Sequence, residues 1–177
     1  TGLISMCWDL QNFVIPLHGS KVGLSASKIG FILGSFALAT FAIRLLMPLL
    51  TKYTTEWQIL ISTLACASVC FFIFPFIETY LFFLLIAFVL GLGLGSAQPN
   101  IMTLVHSTAP EGRIAEALGL RLTIIHANLV ALPLIFGAFG AALGTSAIFW
   151  IISALAFGGV LLAIKKKKHL NSADIKK

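Results

Sequence analysis

Apolar residues fall in six long blocks along the 177-residue chain, roughly 1–17, 28–50, 56–76, 79–105, 113–140 and 145–164. Short polar turns separate them. Five of the blocks reach about the 20 residues that an α-helix needs to cross a bilayer; the first looks clipped at its start. The pattern predicts an all-α membrane protein with six transmembrane helices. Domain 1–164 is the bundle, and 165–177 is a basic tail, KKKKHLNSADIKK, expected to fray. In the turn HGSKVGLSAS, Ser25 or Ser27 is placed to cap the second helix. The chain opens at Thr1 inside an apolar segment with no signal peptide, which fits an interior start in a longer protein.

Composition agrees. Hydrophobic residues make up 59% of the chain and charged ones 10%, with a mean hydropathy of +1.02. Soluble domains carry about 25% charged residues. The net charge of +6 does not point to nucleic acid, because the cations flank apolar blocks. With the tail placed in the cytoplasm, ten of the twelve Lys and Arg residues lie inside, and only Lys21 and Lys28 lie outside. The Lys165–Lys168 run then faces anionic lipid and fixes topology. A bacterial cytoplasmic (inner) membrane is the expected location.

Gly91, Gly93 and Gly95 sit at alternate positions in GLGLGSAQPN. A dinucleotide-binding turn would need a strand before them and a helix start after them. They follow LFFLLIAFVL instead, inside a continuing membrane helix. Close helix packing is the better reading, with Gly91 and Gly95 spaced as G-x-x-x-G. Pro99 is expected to kink that helix near its cytoplasmic end. Cys66 and Cys70 share a helix face; packing is the favoured reading, and a metal or redox pair the alternative.

The segment AQPNIMTLVHSTAPEGRIAEALGLR resembles the connection between the tenth and eleventh helices of major facilitator superfamily transporters. Its marks are Gln98-Pro99, the Pro110–Arg113 turn, and Ala117-Leu118-Gly119-Leu120-Arg121. LSASKIGFILGSFALATFAIRLLMPLL is similar to that family's eighth helix. The likeness spans about 8–164 and identifies the chain as a carboxy-terminal six-helix half. It implies a 3+3 inverted repeat and a missing amino-terminal six-helix half. It also implies secondary active transport of a small molecule, uptake or efflux, by alternating access and coupled to protons. The family's G-x-x-x-D-[RK]-x-G-[RK] inner-loop signature is degraded here to RLLMPLLTKYTTEW. Arg44 with Glu56 is one substitute latch; a snorkelling Arg44 is the other reading.

Polar groups inside apolar spans are costly and point to function. Asp9 lies roughly 12 Å below the outer end of its helix at ~1.5 Å per residue, near the midplane. Ser5, Asp9 and Asn12 share one face, flanked by Trp8 and Gln11. They read as a cavity wall in which Asp9 takes a proton or a cationic group and Trp8 stacks on substrate, or as a structural hydrogen-bond knot. His126 and Asn128 lie about 200° apart on the fifth helix, so both cannot face one cavity squarely. His126 is either a proton relay or a packed, hydrogen-bonded histidine. Asn128 shares a face with Arg121. Gln98 and Asn100 either form an inner gate with Arg121 or satisfy backbone groups freed by Pro99. Glu111 and Glu116 are expected to pair with Arg113 or Arg121, and His18 and Glu78 to be solvated outside. No Ser-His-Asp set, H-E-x-x-H or Asp pair stands at usable spacing, so no enzyme, cofactor or metal is expected. The competing class is a membrane scaffold subunit or a membrane-embedded enzyme.

Overall fold

The computed structural model describes the backbone of residues 1–110 and 112–174, and the side chains of these except 139, 141–143 and 168–174. Six helices follow one another: α1 (Gly2–Lys21), α2 (Ala26–Tyr53), α3 (Glu56–Ile73), α4 (Tyr80–Thr108), α5 (Ile114–Leu143) and α6 (Thr145–Asp174). A 3-10 turn, Phe74–Phe76, extends α3. The expected fraying of the basic tail is corrected: α6 continues through the lysine run to Asp174. Lys176 and Lys177 lie outside the described residues.

Five helices, α2 to α6, are long and apolar enough to cross a membrane. The helix that falls short is α1, whose twenty residues include Asp9, Gln11, Asn12 and His18. Helix starts follow local chemistry. Ser25, not Ser27, caps α2, its hydroxyl accepting the Lys28 N–H at 3.5 Å. At α3 the Thr55 hydroxyl accepts the Gln58 N–H at 3.4 Å, and the Gln58 side chain accepts the Thr55 N–H at 2.9 Å. Together these bonds form a T-x-x-Q capping box.

The bundle is built on α4. Its glycines point to two neighbours, because alternate helical positions face nearly opposite ways. A methyl group at Gly91 would lie 2.5 Å from the Phe36 carbonyl oxygen, and one at Gly95 would lie 2.8 Å from the Thr40 Cα. Both therefore face α2 at backbone contact. Gly93 faces α3, where a Cβ would meet Cys66 Sγ at 3.0 Å. Pairing Gly91 with Phe36 and Gly95 with Thr40 makes α2 and α4 parallel. α3 runs antiparallel to α4, since Thr63 meets Ser96 and Asn100 meets Glu56.

Hydroxyls bridge each of these seams. Ser35 donates to the Leu84 carbonyl (3.0 Å), Thr40 to Gly91 (3.3 Å) and Thr63 to Gly93 (3.1 Å). Between α3 and α6, Ser68 and Ser153 exchange hydroxyl-to-carbonyl bonds at 3.0 and 2.8 Å. Within a bilayer the hydrophobic effect does not drive helices together, so close packing and such bonds must hold them. The end of α3 and the starts of α4 and α6 are joined by an aromatic cluster. Phe74 stacks on Phe149 at 5.3 Å, and Phe83 and Phe71 lean on this pair at 5.6 and 6.3 Å. The expectation that His18 is solvated is corrected here. It is 8% exposed, lies 5.5 Å from the Phe149 ring, and bonds Thr145 through Nδ1 at 3.3 Å. Glu78 is exposed, as expected.

The glycine seam gives a direct test. Gly91→Ala and Gly95→Ala should each destabilise the detergent-solubilised protein by about 1–3 kcal/mol through overpacking against backbone. Gly34→Ala and Gly119→Ala, whose added methyl groups meet nothing within 4 Å, should not. Thermal unfolding followed by size-exclusion chromatography separates the two outcomes.

Candidate functional site

The polar row of α1 divides between two environments. Ser5 is buried at the seam with α5, where the Asn128 amide donates to its hydroxyl at 2.8 Å and to the Gly2 carbonyl at 3.0 Å. Asp9 is half-buried, and its Oδ2 is buried without a hydrogen-bond partner. Gln11 is 0% exposed, and neither end of its amide has a partner. Asn12 is exposed and donates back to the Trp8 carbonyl of its own helix at 3.1 Å. Trp8 meets Phe36 edge-on at 5.2 Å. Ser5 with Asn128 therefore forms a structural knot between α1 and α5, while Asp9 and Gln11 hold unsatisfied polar atoms one turn farther along.

Toward the C-terminal ends of α2 and α4 lies a cavity of about 400 Å³, lined by Arg44 and Met47 of α2, Gln98, Pro99 and Met102 of α4, and Arg121 of α5. Helices α2 and α5 both touch α1 and α4 but have at most marginal contact with each other. They form the sides of a groove with α1 and α4 between them. Arg121 is half-buried and donates from Nη2 to Gln98 Oε1 at 2.5 Å. Its Nε is buried without a partner. The Arg44 guanidinium lies 6.0 Å from the Trp8 ring centroid, within cation–π range.

Several expectations change. Arg44 does not pair with Glu56; among the described residues the ion pair is Arg113–Glu116 at 3.2 Å. Arg113–Glu116 was expected, whereas Glu111 lies outside the described residues. Gln98 accepts from Arg121. The Asn100 amide donates to the Glu56 carbonyl at 2.8 Å, clasping α4 to the start of α3 rather than serving a carbonyl freed by Pro99. α4 continues unbroken past that proline to Thr108. His126 is exposed, so the packed, hydrogen-bonded reading is corrected. Asn128, about 200° away, faces α1 instead. Cys66 and Cys70 bring their sulfurs to 4.0 Å, and no cluster of three or more potential metal ligands occurs among the described residues. The approach of Arg44 to Trp8 was missed by sequence reasoning, although a lone cation inside an apolar block was the available signal.

The Ser5–Asn128 contact should couple α1 to α5 measurably. A double-mutant cycle with Ser5→Ala and Asn128→Ala should return a coupling of about 0.6 kcal/mol, the usual scale for interhelical hydrogen bonds in bilayers. Additive effects in bicelle unfolding would place the contact elsewhere.

Compared with known proteins, residues 1–177 match the family model described as Major Facilitator Superfamily. No curated protein matches the chain.

Proposed function

Because the chain belongs to the major facilitator superfamily, a family of membrane transporters, and is an integral membrane protein, we propose that it forms the carboxy-terminal six-helix half of a secondary active transporter. In this reading α1 crosses the bilayer as the sixth span. A small-molecule substrate passes between this half and an amino-terminal one by alternating access, in uptake or efflux, driven by protons across a bacterial cytoplasmic membrane. The lysine run at the end of α6 stays on the cytoplasmic side.

The observation that carries the proposal is the unsatisfied Asp9 carboxylate oxygen on the helix that falls short of an apolar span. Buried polar atoms without partners are rare, and at membrane depth they mark substrate or ion paths. A proton on Asp9 turns the acid into its own donor, and a cationic group satisfies the carboxylate directly. Alternation between these states is what coupling requires. Trp8 and Asn12 border the same stretch of the path, and Gln98, Asn100 and Arg121 stand at its inner end. The pairing of helices supports a 3+3 repeat. Exchanging α1 with α4, α2 with α5 and α3 with α6 turns the α2–α4 contact into α5–α1, and the α3–α4 contact into α6–α1; all four contacts exist.

Asp9→Asn in the full-length protein should abolish proton-driven accumulation, by tenfold or more, with substrate exchange and membrane expression retained. Accumulation in proteoliposomes under an imposed pH gradient reads this directly. Unchanged accumulation would remove Asp9 from the coupling.

A further inference from the structure

We propose that Arg44, Arg121 and Gln98 form an anion-binding site, and that the transported substrate therefore carries an oxyanion such as a carboxylate or phosphate group. The inference deepens the transport reading and rests on it. It starts from a physical cost. Two guanidinium groups line one open groove of about 400 Å³ on the side of a helical membrane bundle, Arg121 half-buried and Arg44 exposed. Among the described residues neither is paired with a carboxylate. Like charges sharing one groove repel, and intramembrane cations are otherwise found paired.

The geometry resists a bland explanation. Arg121 does not turn away toward water: its Nη2 is fixed on Gln98 Oε1 at 2.5 Å, and its Nε is buried with no acceptor. An Nε–H left open beside a fixed Nη2 leaves part of the guanidinium's donor fork unused. That planar fork matches the two oxygens of a carboxylate or phosphate, which an ammonium or a neutral group cannot satisfy in the same way. Arg44 reaches the cavity from the opposite side with its charge resting on the Trp8 ring. The ring supports the cation without neutralising it. Pro99 and Met102 supply an apolar wall, so the site combines a charged clamp with room for a hydrocarbon body.

An access route is also present. A second cavity of about 470 Å³ shares Met102 with the first and is lined by Thr103, His106, Ser107, Ile114 and Leu118. These residues belong to the cytoplasmic ends of α4 and α5, so the two cavities lie in series from the cytoplasm toward Trp8. Hydroxyl and imidazole groups along the route suit a hydrated anion.

The test uses the full-length protein purified in a neutral detergent. Succinate, benzoate and inorganic phosphate are compared at millimolar concentration with succinamide, benzyl alcohol and tetraethylammonium, and separately with phosphatidylglycerol. At least one soluble anion should raise the thermal unfolding midpoint by several degrees, and the neutral and cationic probes should not. Arg44→Gln and Arg121→Gln should each weaken that anion by about tenfold or more, as expected for a lost charge-assisted hydrogen bond. Arg44 lies outside the packed core, so its variant reports binding even if the Arg121 variant folds poorly. Arg121→Lys, which keeps charge but not the fork, should fall between. No response to any soluble anion, an undiminished response in Arg44→Gln/Arg121→Gln, or a response to phosphatidylglycerol alone would overturn the proposal. Arginine-dependent anion binding with no uptake of that anion into proteoliposomes would leave the site standing and remove the transport reading.

Discussion

Between α2 and α4 there is no space for a side chain at Gly91 or Gly95: the Phe36 carbonyl and the Thr40 backbone occupy it. This contact sets the position of everything that α4 carries. Gly93, on the other side of the same helix, meets the Cys66 side chain of α3, so α4 is held between the α2 backbone and an α3 side chain. Close approach also brings the Ser35, Thr40 and Thr63 hydroxyls within reach of carbonyls on α4. Small residues and hydroxyl bonds are the forces available where lipid competes on equal terms with apolar side chains. Farther along α4 the same rigid placement presents Gln98 to Arg121 and Asn100 to the start of α3.

Against that packed frame, the unsatisfied polar atoms stand out by location. Asp9, Gln11 and His18 on α1, Arg121 on α5 and Asn100 on α4 each hold a buried polar atom without a partner. The α3–α6 and α2–α4 seams are closed by crossing hydroxyls, and the second of them by glycine contacts as well. Most of the unspent polar capacity therefore lies on α1 and α5, away from the seams of α2, α3, α4 and α6. A transporter built to rock needs this division: rigid bodies on one side, exchangeable contacts on the other.

The helices were legible because their apolar blocks and caps are local. Ser25 and the glycine spacing at 91 and 95 announce themselves in a few residues, and α4 packs as that spacing implies. The partner choices were not legible. Sequence alone says that Gly91 and Gly95 want a close neighbour, but not that the neighbour is the parallel α2 rather than a helix adjacent in sequence. His18 shows the same limit from the other side. A histidine next to a polar turn reads as solvated, yet Phe83 and Phe149, far away in sequence, enclose it. Asn128 and His126 separated as their helical angle required, but which of the two would face α1 depended on tertiary packing. Arg44 read as a surface latch or a snorkelling cation; its place over Trp8 depends on α1, which no local pattern links to it.

The central claim is that Asp9 and its neighbours line a path opened alternately to the two sides of the membrane. The most direct measurement is labelling with a membrane-impermeant charged thiol reagent in full-length protein lacking its native cysteines. Single cysteines would replace Asn12 on α1 and Met102 on the inner cavity. Alternating access predicts reciprocal change when the driving gradient is imposed: one position gains reactivity from its own side as the other loses it from the opposite side. Reactivities that stay constant, or that rise and fall together, would contradict the account.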